Sequence, residues 1–146
     1  MKHFFILLFA LLGLEIFLPD AFVAKIMAKD ITVKVGGDIQ SAIDQVSATN
    51  VVGRVILEEG TYDLTKTLVL KNYVTLSGAG SDKTVLRFSA GDYAGIKNEG
   101  EYSVLRDAGI EGLKLMSTAK GVQRFAIEIT ALGDTRHRNI VLRDVE

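Results

Sequence analysis

Short apolar runs follow one another through most of this chain, with only a few turn-forming residues between them. Ile31–Val35 alternates apolar and polar positions, as a strand with two unlike faces does. Arg54–Leu57, Leu68–Leu70, Tyr73–Leu76 and Thr84–Phe88 read as further strands, rich in Val, Leu, Thr and Tyr. One segment departs from that period. Ile39, Ala42, Ile43 and Val46 recur at helical spacing and predict a short amphipathic helix. Asp38, after Gly36-Gly37, is its N-cap, with a carboxylate able to accept from the amides of the first turn. Proline is absent after Pro19, so every later amide is free to join a ladder.

Internal repetition sets the architecture. Val74-x-Leu76-x-Gly78-Ala79 aligns with Ala108-x-Ile110-x-Gly112-Leu113 and with Ile140-x-Leu142-x-Asp144-Val145, at offsets of 34 and 32 residues. In each copy two alternating apolar residues precede a residue tolerant of a bend. A second strand follows in the first two copies (Val85–Phe88, Leu113–Met116), then a third (Ala94–Lys97, Phe125–Ile129). Strands that return to the same register once per period describe a solenoid, in which each coil buries its apolar row against its neighbours. The expected fold is all-β, a parallel β-helix of about three coils. The helix caps its open end, and loops fall at Asp82–Lys83, Gly91–Tyr93 and Met116–Arg124.

Composition narrows the classes. The chain has 146 residues, 48% hydrophobic and 24% charged, as one globular domain would. A formal net charge of −1 offers no basic field for nucleic acid. The absence of cysteine excludes disulfides, thiol catalysis and thiolate metal sites. Residues 1–28 read as a secretory signal peptide, with Lys2 and His3 before the apolar run Phe4–Leu14 and cleavage near 24 or 28. That run is shorter than the ~20 residues a membrane span needs, so no stable span is expected once it is removed. The address implied is secreted, periplasmic or cell-surface.

Four elements in order resemble the pectate-lyase or pectin-lyase-like superfamily. Asp38-Ile39-Gln40-Ser41-Ala42-Ile43 is similar to its capping-helix segment. Gly53-Arg54-Val55-Ile56-Leu57 with Gly60-Thr61-Tyr62 is similar to the element after it, with Glu59 where proline is frequent. Val74–Gly80 with Thr84-Val85-Leu86 resembles the next, and Arg138–Val145 resembles the coil repeat. The resemblance implies a right-handed parallel β-helix acting on uronate-type polysaccharides by cleavage or epimerisation, with Ca²⁺ as a possible cofactor. It also implies that residues 29–146 are the N-terminal part of the domain, truncated at the C-terminus, with no catalytic set to carry over. The alternatives are a non-catalytic glycan-binding or structural surface β-helix, and a decayed gene fragment. The last strand, Asn139–Val145, would then leave an open edge through which copies self-associate.

The candidate chemistry is concentrated near the C-terminus. His137, Arg136 and Arg143 are the catalytic candidates: an imidazole suits proton transfer near neutral pH, and a guanidinium neutralises a uronate carboxylate. Asp134 and Asp144 are the metal candidates, as hard oxygen donors for Ca²⁺, although two carboxylates fall short of its six to eight ligands. Tyr93, Tyr102 and Arg138 are the substrate-binding candidates, since tyrosine rings offer an apolar face and a polar edge to a sugar. The competing reading is a solvated turn between coils. Asn72, Asn98 and Asn139 are spaced off the coil period and read as turn residues rather than as a ladder.

Overall fold

The computed structural model describes residues 29–89, 94–100, 103–118, 125–131 and 136–146. Residues 1–28, read above as a signal peptide, and three of the site candidates, Tyr93, Tyr102 and Asp134, lie outside the described residues. In chain order the elements are β1 (Asp30–Val33), α1 (Ile39–Ser47), β2 (Gly53–Leu57), β3 (Gly60–Leu64), β4 (Leu68–Leu70), β5 (Val74–Ser77), β6 (Thr84–Phe88), β7 (Ala94–Asn98), β8 (Arg106–Ser117), β9 (Phe125–Glu128) and β10 (Arg138–Val145).

Every strand pairing is parallel, and the strands fall into three walls. Sheet A stacks β1, β2, β5, the first half of β8, and β10. Sheet B stacks β3, β6 and the second half of β8. Sheet C stacks β4, β7 and β9. The chain therefore winds from A to B to C and back, giving a solenoid of about four turns. β8 serves two walls because it bends at Gly112, whose φ of +62° is one that glycine adopts without steric cost.

The aligned repeats stack as the sequence predicts: Leu76 lies beside Ile110, and Ile110 beside Leu142. An earlier coil joins them at a shorter offset, with Val55 beside Leu76, residues 55 and 76 being 21 apart. The inward columns make one continuous core in which Val55, Leu76, Leu86 and Ile110 are fully buried. Tyr62 belongs to that core. Its hydroxyl lies 2.8 Å from the Val33 carbonyl and 3.0 Å from that of Glu58, and burial raises its pKa.

Helix α1 closes the first end. Asp38 caps it, accepting from the Ser41 amide at 2.9 Å, and Ile39, Ala42, Ile43 and Val46 are all buried. Gln40 also reaches the free edge of sheet C. It accepts from the Val69 N–H at 2.8 Å and donates to the Val69 carbonyl at 3.1 Å, as a neighbouring strand would. Among the described residues nothing covers the other end. Leu142 occupies the same inward column as Leu76 and Ile110, yet is 54% exposed where they are 0%. Leu115, Ala126, Ile127, Leu142 and Val145 line a depression of about 580 Å³ there, which is the cross-section of the core rather than a built site.

Candidate functional site

The outer face of sheet C carries a polar hollow. Its strands are in register as Leu68, Ile96 and Ile127 facing inward, then Val69, Lys97 and Glu128 facing outward. At the C-terminal ends of β7 and β9 the chain leaves the sheet, and Lys97, Asn98, Glu99, Gly100, Glu128 and Thr130 enclose a cavity of about 170 Å³. Lys97 and Glu128 are ladder neighbours of opposite charge, but among the described residues neither closes an ion pair.

The floor of the hollow is held by amides. Asn98 is 3% exposed. It accepts from the Thr130 N–H at 3.1 Å and donates to the Thr130 carbonyl at 2.9 Å, so it joins neighbouring coils instead of merely making a turn. One rim is fixed by charge. Lys71 lies 3.2 Å from both Asp44 of α1 and Glu99, and its pKa is raised by hydrogen bonding to Asp44 first and to Glu99 second.

His137 fastens the other rim. Its Nδ1 accepts from the Leu105 N–H at 3.0 Å, which places the ring proton on Nε2, and Nε2 donates to the Thr130 carbonyl at 2.9 Å. Both ring nitrogens are thus engaged with backbone. The imidazole joins the hollow to the corner where the chain enters sheet A. Arg136 and Arg138 flank it, both exposed.

The remaining described candidates lie elsewhere. Arg143 is on the outer face of sheet A, 3.5 Å from Glu111, whose other oxygen accepts from Ser77 Oγ at 3.1 Å. Asp144, at φ +49°, turns the chain out of sheet A and accepts from the amide and hydroxyl of Ser81 at 3.3 and 3.0 Å. The length of β10, at about 3.3 Å per residue, separates these two from His137. Among the described residues no group of three His, Cys, Asp or Glu side chains is placed to hold a metal ion.

Asn72 and Asn139 also bridge coils. Asn72 accepts from the Arg106 N–H at 2.8 Å, and Asn139 donates to Asp107 at 2.7 Å. The chemistry open to the hollow is recognition. Lys97 supplies a point positive charge, Glu128 and Glu99 accept hydrogen bonds, and Thr130 adds a hydroxyl. Such a set suits a polyhydroxylated ligand, with Lys97 as the group that can meet an acidic substituent. Lys97 and Glu128 are absent from the sequence-derived candidates. The signal available was the strand period, which puts both on the outer face of aligned strands.

No protein-family model matches the chain, and no curated protein matches it. Among solved structures it is similar to the A-module of the mannuronan C-5 epimerase AlgE6 of Azotobacter vinelandii, with a TM-score of 0.58 and 22% identity. The match covers 73% of this chain and 32% of that one, so the chain spans about a third of the module's length. At that identity the likeness is one of fold, and it agrees with the strand pairings: the chain is a right-handed parallel β-helix.

Proposed function

We propose that the protein binds an acidic, uronate-type polysaccharide on the outer face of sheet C, as a secreted, periplasmic or cell-surface component. The observation that carries this reading is the hollow itself. It holds an ammonium beside a carboxylate, neither in an ion pair among the described residues, over a floor fixed by Asn98 and Thr130. Lys97 can donate to a carboxylate of a uronate, and Glu128 and Glu99 can accept from its hydroxyls. The structural neighbour adds a probe, since mannuronan is the polymer named in its activity. Binding to polysaccharide rather than turnover is the function the geometry supports best, because His137 is tied to backbone through both nitrogens.

The test is titration calorimetry of the full chain with a mannuronate oligomer and with a neutral mannose oligomer of the same length. The acidic oligomer is expected to bind more tightly. Lys97→Gln is expected to weaken it by about tenfold, the scale of one charge-assisted hydrogen bond. Equal affinity for both oligomers, or an unchanged Lys97→Gln, sinks the reading. Release of unsaturated uronides in the same samples, read by ultraviolet absorbance, would replace binding with lyase activity.

A further inference from the structure

Cross-coil neighbours on this solenoid pair opposite charges. Arg54 grips Asp30 at 2.8 Å, Arg143 meets Glu111 at 3.5 Å, Lys114 meets Glu146 at 3.1 Å, and the Arg87 guanidinium forks onto Asp63. One place breaks that rule. Arg106 and Arg138 are direct ladder partners on β8 and β10, both exposed, and among the described residues neither has an ion-pair partner.

The backbone makes this arrangement deliberate in its geometry. Strand alternation would send Arg106 inward with Ala108 and Ile110. Instead Asp107, at φ +50°, turns the chain, and Arg106 is exposed. Asn139, at φ +52° beside Asp107, does the same for Arg138. Asp and Asn are the side-chain-bearing residues that tolerate this conformation best. The corner is then pinned on both coils: the Arg106 N–H donates to Asn72 at 2.8 Å, and the Arg138 N–H to the Leu105 carbonyl at 3.0 Å. Asp107, the carboxylate closest in sequence, accepts from Asn139 instead of from a guanidinium.

Like charges directly opposite each other destabilise a sheet. Two guanidinium forks on strands about 4.8 Å apart, on a fixed backbone, are complementary to one bridging anion. We infer that Arg106 and Arg138 form an anion site that takes a carboxylate of an acidic glycan, bridging two coils at the corner leading into sheet A. This site rests on the glycan reading above and is separate from the Lys97–Glu128 hollow.

The experiment uses the full chain with Arg106→Gln, Arg138→Gln, the double variant, and Lys97→Gln as a comparison, at constant ionic strength. Affinity for the mannuronate oligomer is measured beside affinity for acetate and for the neutral mannose oligomer, and melting temperature is measured without ligand. Each arginine variant is expected to lose about tenfold in affinity for the acidic oligomer, and to melt at the same or a higher temperature because a repulsion is relieved. Acetate alone is expected to compete weakly, since it lacks the polymer. If the acidic oligomer binds the wild type and the arginine variants equally while Lys97→Gln fails, the anion site is wrong and the glycan reading stands. If the wild type does not prefer the acidic oligomer, both fall. A drop in melting temperature in the arginine variants would assign the pair a structural role and overturn the inference. Competition by acetate as strong as that of the oligomer would identify a general anion site rather than a glycan one, and would also overturn it.

Discussion

Two side-chain amides act as surrogate strands. Gln40 pairs with both backbone groups of Val69, and Asn98 with both backbone groups of Thr130. A carboxamide holds a donor and an acceptor side by side, as a peptide unit does, so it satisfies an edge that would otherwise stay open. Gln40→Glu separates the two halves of that device. The carboxylate still accepts from the Val69 N–H, but it faces the Val69 carbonyl with no proton to give. The expected loss is about 1–3 kcal/mol on urea denaturation, larger than that of Gln40→Met. Equal losses for the two would show that the amide pairing contributes nothing. The anion corner is also a residue-scale feature. Arg106 was invisible in sequence as a site residue, because its partner lies 32 positions away across a loop. The coil offset, applied to Arg138, would have found it.

The elements were legible wherever they repeat. Aligning Leu76, Ile110 and Leu142 predicts the register the strands adopt, because a one-residue slip would expose every inward side chain. The first coil escaped the alignment because its turns carry no long loops and it closes in 21 residues, between positions 55 and 76. Strand β3 is absent from the strands read in the sequence, since Gly60 and Thr61 lack apolar character and Tyr62 is its one fully buried residue. Close approach between coils sets one composition rule. A Cβ on Gly78 would stand 2.2 Å from the Gly112 carbonyl oxygen of the next coil, which is backbone and has no room to yield. Gly78→Ala is therefore expected to cost at least about 2 kcal/mol and lower the melting temperature. A variant as stable as wild type would mean that the coils can separate there.

At the scale of the whole molecule, ion pairs form a sparse cladding over an apolar core. Arg54 holds Asp30 below the usual carboxylate range, chiefly by hydrogen bonding, and Arg87 does the same for Asp63. A carboxylate depressed in the folded state favours folding above its unfolded pKa, near 3.9, and that contribution is lost as pH falls through the folded value. Acid melting of the wild type should therefore steepen below about pH 4. Asp30→Asn with Asp63→Asn should flatten that limb slightly and lower stability near neutral pH by the same small amount, because the acid limb loses only what the pairs contribute and exposed pairs are weak. An identical acid limb would show that other carboxylates control it. How much of the candidate site was legible also depends on this scale. Arg136, His137 and Arg138 lie together where the chain enters sheet A. Arg143 and Asp144 were grouped with them by sequence distance alone, and the extended strand carries them to its far end.

The helix over the first end has a further consequence, of the kind that governs polymer growth. A rod with two adhesive ends lengthens without limit, whereas a rod with one has a valence of one. Here Ile39, Ile43 and Val46 seal the apolar cross-section at one end, and Gln40 closes the adjoining edge of sheet C. The opposite cross-section presents Leu142 and Val145. The cap is thus a terminator of stacking at that end as much as a lid on the core, since no further strand can add beyond it there.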